Sequence, residues 1–155
     1  MTVMPVMPPA QERVWQALFL LSERLPEGWT LVGGQMVHLH CAERGLVPHR
    51  TTNDGDAVVD IRTDRQMLAR LTAELVRLGF SSDGVSAEGH EHRWTEGEAV
   101  IDVLVPTNLG RSQTVTGVTV GATGAQQALD RSELVTVAVG DAPGRCGDRT
   151  WSVRS

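Results

Sequence analysis

A glycine pair, Gly33-Gly34, separates a short apolar stretch from a stretch with helical spacing. The preceding residues, Trp29 to Val32, have the composition of a short buried strand. In residues 35–44, which follow, apolar side chains recur at helical intervals. Glycine lets the backbone come close to whatever lies over a turn, and the free N–H groups of a helix N-terminus bind anions. The sequence therefore predicts a strand, an anion-binding turn and a helix.

Two aspartates, Asp54 and Asp56, lie in the next predicted strand, residues 53–61. Residues i and i+2 of a strand point to the same side, so the two carboxylates are expected side by side. Like charges held that close repel, and a divalent cation between them would remove the repulsion. Because Mg²⁺ is commonly bound by carboxylates together with substrate phosphates, the pattern predicts a metal–nucleotide site. Asp60 extends the acidic face, and we interpret it as a surface residue beside the site.

A third aspartate, Asp102, interrupts the apolar run Val-Ile-Asp-Val-Leu-Val in a predicted hairpin formed by residues 90–95 and 99–105. A carboxylate in so apolar a strand is costly unless a partner satisfies it. An ion pair with Arg93 across the hairpin is one explanation, and a metal shared with the earlier aspartates is another. Three carboxylates and an anion-binding turn fit two-metal nucleotidyl transfer, in which one metal activates a hydroxyl and the other holds the triphosphate.

The composition is that of an ordinary globular domain. With 155 residues, of which 41% are hydrophobic and 21% charged, the chain can bury one sizeable core. A net charge of −5 argues against a surface that coats nucleic acid. All 14 basic residues are arginine, so no step can depend on a lysine of this chain. No apolar run is long enough for a membrane span, and residues 1–9 lack the features of a signal peptide, which predicts a cytoplasmic protein without a membrane partner.

Hydrophobic periodicity predicts an α/β (α+β) fold with a mixed, mostly antiparallel sheet and helices packed against it. Helices are expected at residues 10–25, 35–44, 64–78 and 124–130, and a last strand at 134–139. We predict a loose arm at residues 1–9, a single domain at 10–139 and an irregular tail at 140–155.

Three motifs together resemble the nucleotidyltransferase superfamily of the DNA polymerase β type. They are Leu-Val-Gly-Gly, the later Arg-x-Thr-x-Asp-x-Asp and the still later Val-Ile-Asp-Val. The resemblance covers residues 29–106 and is strongest to minimal bacterial members, including the abortive-infection toxins of type IV toxin–antitoxin systems. It implies a nucleotidyltransferase-type sheet, Mg²⁺ or Mn²⁺ as cofactor, and Asp54, Asp56 and Asp102 as catalytic metal ligands. It assigns the nucleotide site to Gly33, Gly34, Gln35, Arg50 and Thr52.

The activity implied by this resemblance is transfer of a nucleoside monophosphate from an NTP to a hydroxyl, with release of pyrophosphate. The acceptor stays open among RNA, protein and small molecules, and the toxin-like members imply an antitoxin as a candidate partner. The sequence does not fix the oligomeric state.

Two other interpretations stay open at this stage. The first is a non-catalytic relative that binds a nucleotide or a partner; Gly55 between the aspartates is expected to loosen that strand, and residues 140–155 do not resemble the start of an acceptor-binding region. The second is a transition-metal site at His90 and His92, which alternate on one strand face. Arg93 and Arg111 are further candidate phosphate contacts.

Overall fold

The computed structural model describes residues 2–50, 52–85, 87, 91–107, 120–139 and 150–155. These residues form an α+β fold, which confirms the predicted class. The helices are α1 (Pro9–Arg24), α2 (Gly33–Glu43), α3 (Met67–Arg77) and α4 (Ala125–Arg131). The strands are β1 (Thr2–Met4), β2 (Trp29–Val32), β3 (Asp54–Val59), β4 (Ser81–Ser82), β5 (Arg93–Glu96), β6 (Ala99–Pro106), β7 (Val120–Ala122), β8 (Leu134–Val139) and β9 (Thr150–Arg154).

The larger sheet has the strand order β2-β3-β6-β5-β4, with β7 paired to the end of β6. The central pair, β3 and β6, is parallel, whereas β2–β3, β5–β6 and β4–β5 are antiparallel. The sheet is therefore mixed, and the two strands that carry the aspartates are direct neighbours.

Helix α1 packs very closely against one face of this sheet. A Cβ at Gly55 would lie 2.8 Å from Val14 of α1 and 3.7 Å from Ile101 of β6. Any larger residue at Gly55 would require Val14 or the strand to shift. Gly55 therefore permits close packing of helix α1 on β3, and the expectation that it loosens the strand stays a prediction. The alternate residues of β3, which include Asp54 and Asp56, face the other side.

Strand β3 ends before Asp60, so this aspartate does not extend the acidic face as predicted. Its carboxylate instead accepts hydrogen bonds from the backbone N–H groups of Arg62 and Thr63, both at 3.2 Å, and from the Thr63 hydroxyl at 2.7 Å. Asp60 therefore stabilises the turn that leads towards α3, which is a common role of aspartate side chains.

The second sheet has the strand order β1-β8-β9, and it includes residues from both ends of the chain that were predicted to be irregular. Strand β1 lies in the predicted loose arm and pairs in parallel with β8, and its Met4 is buried. Strand β9 lies in the predicted irregular tail and pairs antiparallel with β8, and Val153 is buried. The ring of Trp151 stacks on Phe19 of α1 with a centroid distance of 5.3 Å. Apolar burial on β8 and α1 thus orders these short strands, and residues 140–149 of the predicted tail lie outside the described residues.

Candidate functional site

Strand β2 passes directly into helix α2 at the glycine pair. Val32 is the N-cap residue in an extended conformation, and Gly33, the first residue of the helix, has a φ of +69°. This left-handed value is costly for any residue with a Cβ. The first amides of α2 have no acceptor within the helix and offer N–H groups with a favourable dipole to an anion.

Three of the site's side chains form a row across the sheet. Asp56 of β3 lies opposite Asp102 of β6, and Asp102 lies opposite Arg93 of β5. Residues directly opposite one another in neighbouring strands have side chains on the same face. Asp54, two residues before Asp56, shares that face. The predicted carboxylates are thus brought together on one face, with an arginine at the end of the row.

The glycines bring the turn into contact with this row. A Cβ at Gly33 would lie 2.1 Å from Oδ2 of Asp56, so a side chain there cannot coexist with the carboxylate in its present place. A Cβ at Gly34 would lie 2.5 Å from Cγ2 of Thr52. Both glycines are therefore needed because other parts of the site lie against them.

The guanidinium of Arg93 holds Asp102 in a two-point ion pair. Nε donates to Oδ1 at 2.9 Å and Nη2 donates to Oδ2 at 3.0 Å. Nη2 also lies 3.7 Å from Oδ2 of Asp54. The alternative that Asp102 is ion-paired across the hairpin is thus confirmed. The pairing with Asp102 is the main reason that the pKa of Arg93 is raised above its ordinary value, and Asp54 adds to it.

Asp56 makes no ion pair with Arg93. Its surroundings disfavour its charged form, whereas the surroundings of Arg93 favour the charged guanidinium. Burial, reinforced by the charges of Asp102 and Asp54, raises the pKa of Asp56 from 3.8 to about 6, although Arg93 partly offsets the effect. A raised carboxyl pKa means that the site disfavours a further negative charge. The protonated, neutral form of Asp56 is therefore favoured mainly by its burial and secondarily by the neighbouring carboxylates.

A buried polar network fixes the loop before β3. The amide of Gln35, fully buried, donates from Nε2 to the carbonyl of Thr52 at 2.8 Å. Its Oε1 accepts from Nε2 of Gln11 at 3.1 Å and from Nε1 of Trp15 at 2.8 Å. The side chain of Gln35 thus faces the interior. Of the predicted contact between Gln35 and a nucleotide, only a contact through the backbone of Gln35 remains possible. Its role is to hold the loop of Thr52 against α1 and α2.

His38 extends the network to the start of the loop. Its Nε2 lies 2.7 Å from the carbonyl of Arg50, which can only accept, so Nε2 carries the proton. The other ring nitrogen, Nδ1, then accepts from Gln11 Nε2 at 3.1 Å. The side chain of Arg50 is exposed to solvent, and the hydroxyl of Thr52 accepts from the backbone N–H of Asp54 at 3.3 Å. The network therefore holds the loop that leads into β3, whose first residue is Asp54.

The donor types fit magnesium, but the side chains as placed do not form its site. Carboxylate oxygens are the ligands that Mg²⁺ prefers, and three such groups share this face. Within the described part of the chain, however, no group of three His, Cys, Asp or Glu side chains could hold a metal ion as arranged. Both oxygens of Asp102 are engaged by Arg93. The cation in contact with Asp102 in this arrangement is the guanidinium of Arg93.

The sequence identified Arg93 as an alternative partner of Asp102 and as a candidate phosphate contact, and it did not reveal the polar network. The register of the β5–β6 hairpin places Arg93 opposite Asp102, and this register is the signal from which the ion pair could have been predicted. Two candidate residues, His90 and Arg111, lie outside the described residues, and His92 is described without a metal-binding group around it.

Comparisons of the chain with protein-family models, with curated proteins and with solved structures found no match. In the part of the chain that the structure describes, no helix is both long enough and apolar enough to cross a membrane. A functional assignment therefore depends on the chemistry of the site itself.

Proposed function

We propose that the chain is a nucleotidyltransferase that transfers a nucleoside monophosphate from a Mg²⁺-bound NTP to a hydroxyl acceptor. The observation that carries this proposal is the pairing of Asp56 with Asp102 on adjacent parallel strands, with Asp56 lying against Gly33 at the start of α2. Carboxylates for a cation and free amides for a phosphate thus lie side by side.

Asp54, Asp56 and Asp102 would hold the metal. When bound, Mg²⁺ or Mn²⁺ would neutralise triphosphate charge and lower the pKa of the attacking hydroxyl. The chain itself contributes position: the Gly33 turn lets phosphate oxygens approach the α2 amides, and the buried network keeps β3 in register with them. An antitoxin partner belongs to the same proposal, since it follows from the toxin-type resemblance, and a cytoplasmic location stays the prediction made from the sequence.

A transfer assay tests this proposal directly. The purified chain is incubated with Mg²⁺ or Mn²⁺ and each NTP labelled at the α-phosphate, in the presence of RNA, protein or small-molecule acceptor pools. We expect label in one pool and equimolar pyrophosphate, and neither product from the Asp54→Asn/Asp56→Asn variant. Absence of both products with every NTP and every pool would contradict the proposal.

A second candidate is a non-catalytic protein that binds a nucleotide at the same turn. The two-point pairing of Arg93 with Asp102 favours it, because that pairing satisfies the buried carboxylate without any metal. This protein would bind NTP equally well in the presence of EDTA and release no pyrophosphate. Metal dependence of binding therefore separates the two candidates.

A further inference from the structure

A cleft lies at the opposite end of β2 from the Gly33 turn. It consists of two cavities of about 620 and 260 Å³, which share Pro26, Glu27, Trp29 and Arg154 as lining residues. The larger volume is in the range of small-molecule binding sites. We propose that this cleft binds a small amphipathic carboxylate, whose charged group lies on Arg154 and whose apolar body lies in the larger cavity.

Arg154, at the junction of the two cavities, is held only weakly by the rest of the chain. Within the described residues, its Nε donates to the carbonyl of Pro26 at 3.4 Å, and its Nη2 lies 3.9 Å from Oε1 of Glu27. The side chain of Glu27 is 83% exposed, and so long and exposed an ion pair contributes little. Most of the five N–H groups of this guanidinium are therefore free to bind a ligand.

The other charged groups of the larger cavity already have partners. Arg24 and Arg70 are ion-paired with acidic side chains at 2.8 and 2.7 Å. The carboxylate of Asp60 stabilises its own turn, and that of Asp130 accepts from Nε2 of Gln126 at 2.8 Å. An incoming anion therefore finds its cation at the junction and not elsewhere in the larger cavity.

The charges around the cleft favour a carboxylate over a phosphate. Four carboxylates and three guanidiniums line the larger cavity, namely Glu27, Asp60, Asp64 and Asp130 against Arg24, Arg70 and Arg154. A phosphate monoester, with about two negative charges, would be repelled by this surplus of negative charge. A carboxylate has one charge and matches the planar fork of a single guanidinium.

The apolar part of the lining suits the body of such a ligand. Leu25, Trp29 and Met67 line the larger cavity and are at most 7% exposed, and Leu129 of α4 lies beside them. Contact with these side chains removes apolar surface of the ligand from water, which is the main source of affinity for a small organic molecule.

A hydroxyl in the smaller cavity provides a second contact for the carboxylate. The Oγ atom of Ser22 is buried and has no hydrogen-bond partner among the described residues. A buried hydroxyl without a partner is costly, so an acceptor bound beside it would be stabilised. Ser22 and Arg154 line the same small cavity, and both are donors for one carboxylate.

NMR and calorimetric titrations test the cleft with 3-phenylpropionate, its neutral amide and phenyl phosphate. The indole N–H of Trp29 donates to the carbonyl of Leu25 at 2.8 Å and is a reporter within the cleft. We expect 3-phenylpropionate to shift the Trp29 indole signal saturably, and the other two probes to bind at least roughly fivefold more weakly. Equal binding of the acid and the amide, or no binding of any probe, would overturn the proposal.

Variants then test the two donors. Arg154→Gln should bind 3-phenylpropionate roughly five- to twentyfold more weakly than wild type, and Ser22→Ala roughly two- to threefold more weakly. Arg44→Gln is the matched control, because the guanidinium of Arg44 also donates to a backbone carbonyl, at 3.1 Å, and lines neither cavity. It should match wild type. An affinity of Arg154→Gln equal to that of wild type would overturn the role of Arg154.

A second variant decides the matter if circular dichroism shows that Arg154→Gln does not fold. Arg154→Lys keeps the charge without the planar fork and should bind 3-phenylpropionate roughly two- to fivefold more weakly than wild type. Unchanged or tighter binding would contradict recognition by the guanidinium. This inference does not rest on the proposed nucleotidyl transfer, since Asp54, Asp56 and Asp102 line neither cavity.

Discussion

The carboxylate of Asp56 occupies the space that a side chain on Gly33 would need. The 2.1 Å separation between Oδ2 and an added Cβ makes the β2–α2 turn and the middle of β3 a single sterically coupled unit. The phosphate-binding turn and the metal-binding strand predicted from the sequence are therefore in direct contact, and a change in either one displaces the other.

Replacement of Gly33 tests this contact, and Gly45 provides the control. Both glycines have a left-handed φ, +69° and +65°, but a Cβ at Gly45 would meet nothing within 4 Å. Gly45→Ala should cost only the backbone strain, about 1–2 kcal/mol. Gly33→Ala should cost more in urea unfolding because it also displaces Asp56, and it should weaken nucleotide binding. Equal losses of stability in the two variants would show that the contact is unimportant.

The raised pKa of Asp56 predicts a pH-dependent effect of Asp56→Asn. Between pH 3.8 and about 6 the native state holds a proton that the unfolded state has released, so the free energy of unfolding of wild type falls as the pH rises. Asparagine has no such titration. We therefore expect Asp56→Asn to be more stable than wild type at pH 8, with the advantage shrinking by pH 4.

Thermal unfolding in metal-free buffer at both pH values measures this difference. Glu98→Gln, at an exposed position in the β5–β6 turn, controls for the general loss of negative charge. A gain in stability that is the same at pH 4 and pH 8 would contradict the assignment of the raised pKa to Asp56.

Because its side chain belongs to the buried network, we expect Gln35 to contribute more to the free energy of unfolding than an exposed glutamine does. Gln35→Ala leaves the indole N–H of Trp15 and the carbonyl of Thr52 without these hydrogen bonds, at a cost of about 1–3 kcal/mol. Gln16→Ala, on the exposed side of the same α1 helix that carries Trp15, should cost less than ~0.5 kcal/mol. Urea unfolding compares them, and a Gln35→Ala loss as small as that of Gln16→Ala would exclude a stabilising role for the network.

The local elements of the site could be predicted because each depends on neighbouring residues. The change from apolar strand to helical spacing at Gly33 indicates β2 and α2, alternation indicates β3, and the apolar run of the hairpin indicates β6. The pairing of Asp56 with Asp102 required the order of the strands, which periodicity does not contain. The sequence left the partner of Asp102 open between a metal and Arg93 for the same reason.

The remaining errors came from long-range packing. The three residues of β1 and the five of β9 are too short to show a period, and they are ordered by pairing with β8. Gln35 follows a glycine turn and was assigned to the nucleotide, but Gln11 and Trp15 on α1 draw its side chain inward. Such partners, distant in sequence, cannot be identified from local pattern.

The central claim is that the three aspartates and the α2 turn form one cation-dependent nucleotide site. Calorimetric titration of wild type with a non-hydrolysable NTP analogue, in Mg²⁺ and in EDTA, tests it most directly. We predict binding in Mg²⁺ that is lost in EDTA and in Asp54→Asn/Asp56→Asn, and retained in Asp130→Asn, an exposed aspartate of α4. Equal binding in Mg²⁺ and EDTA, or no binding in either, would contradict the claim.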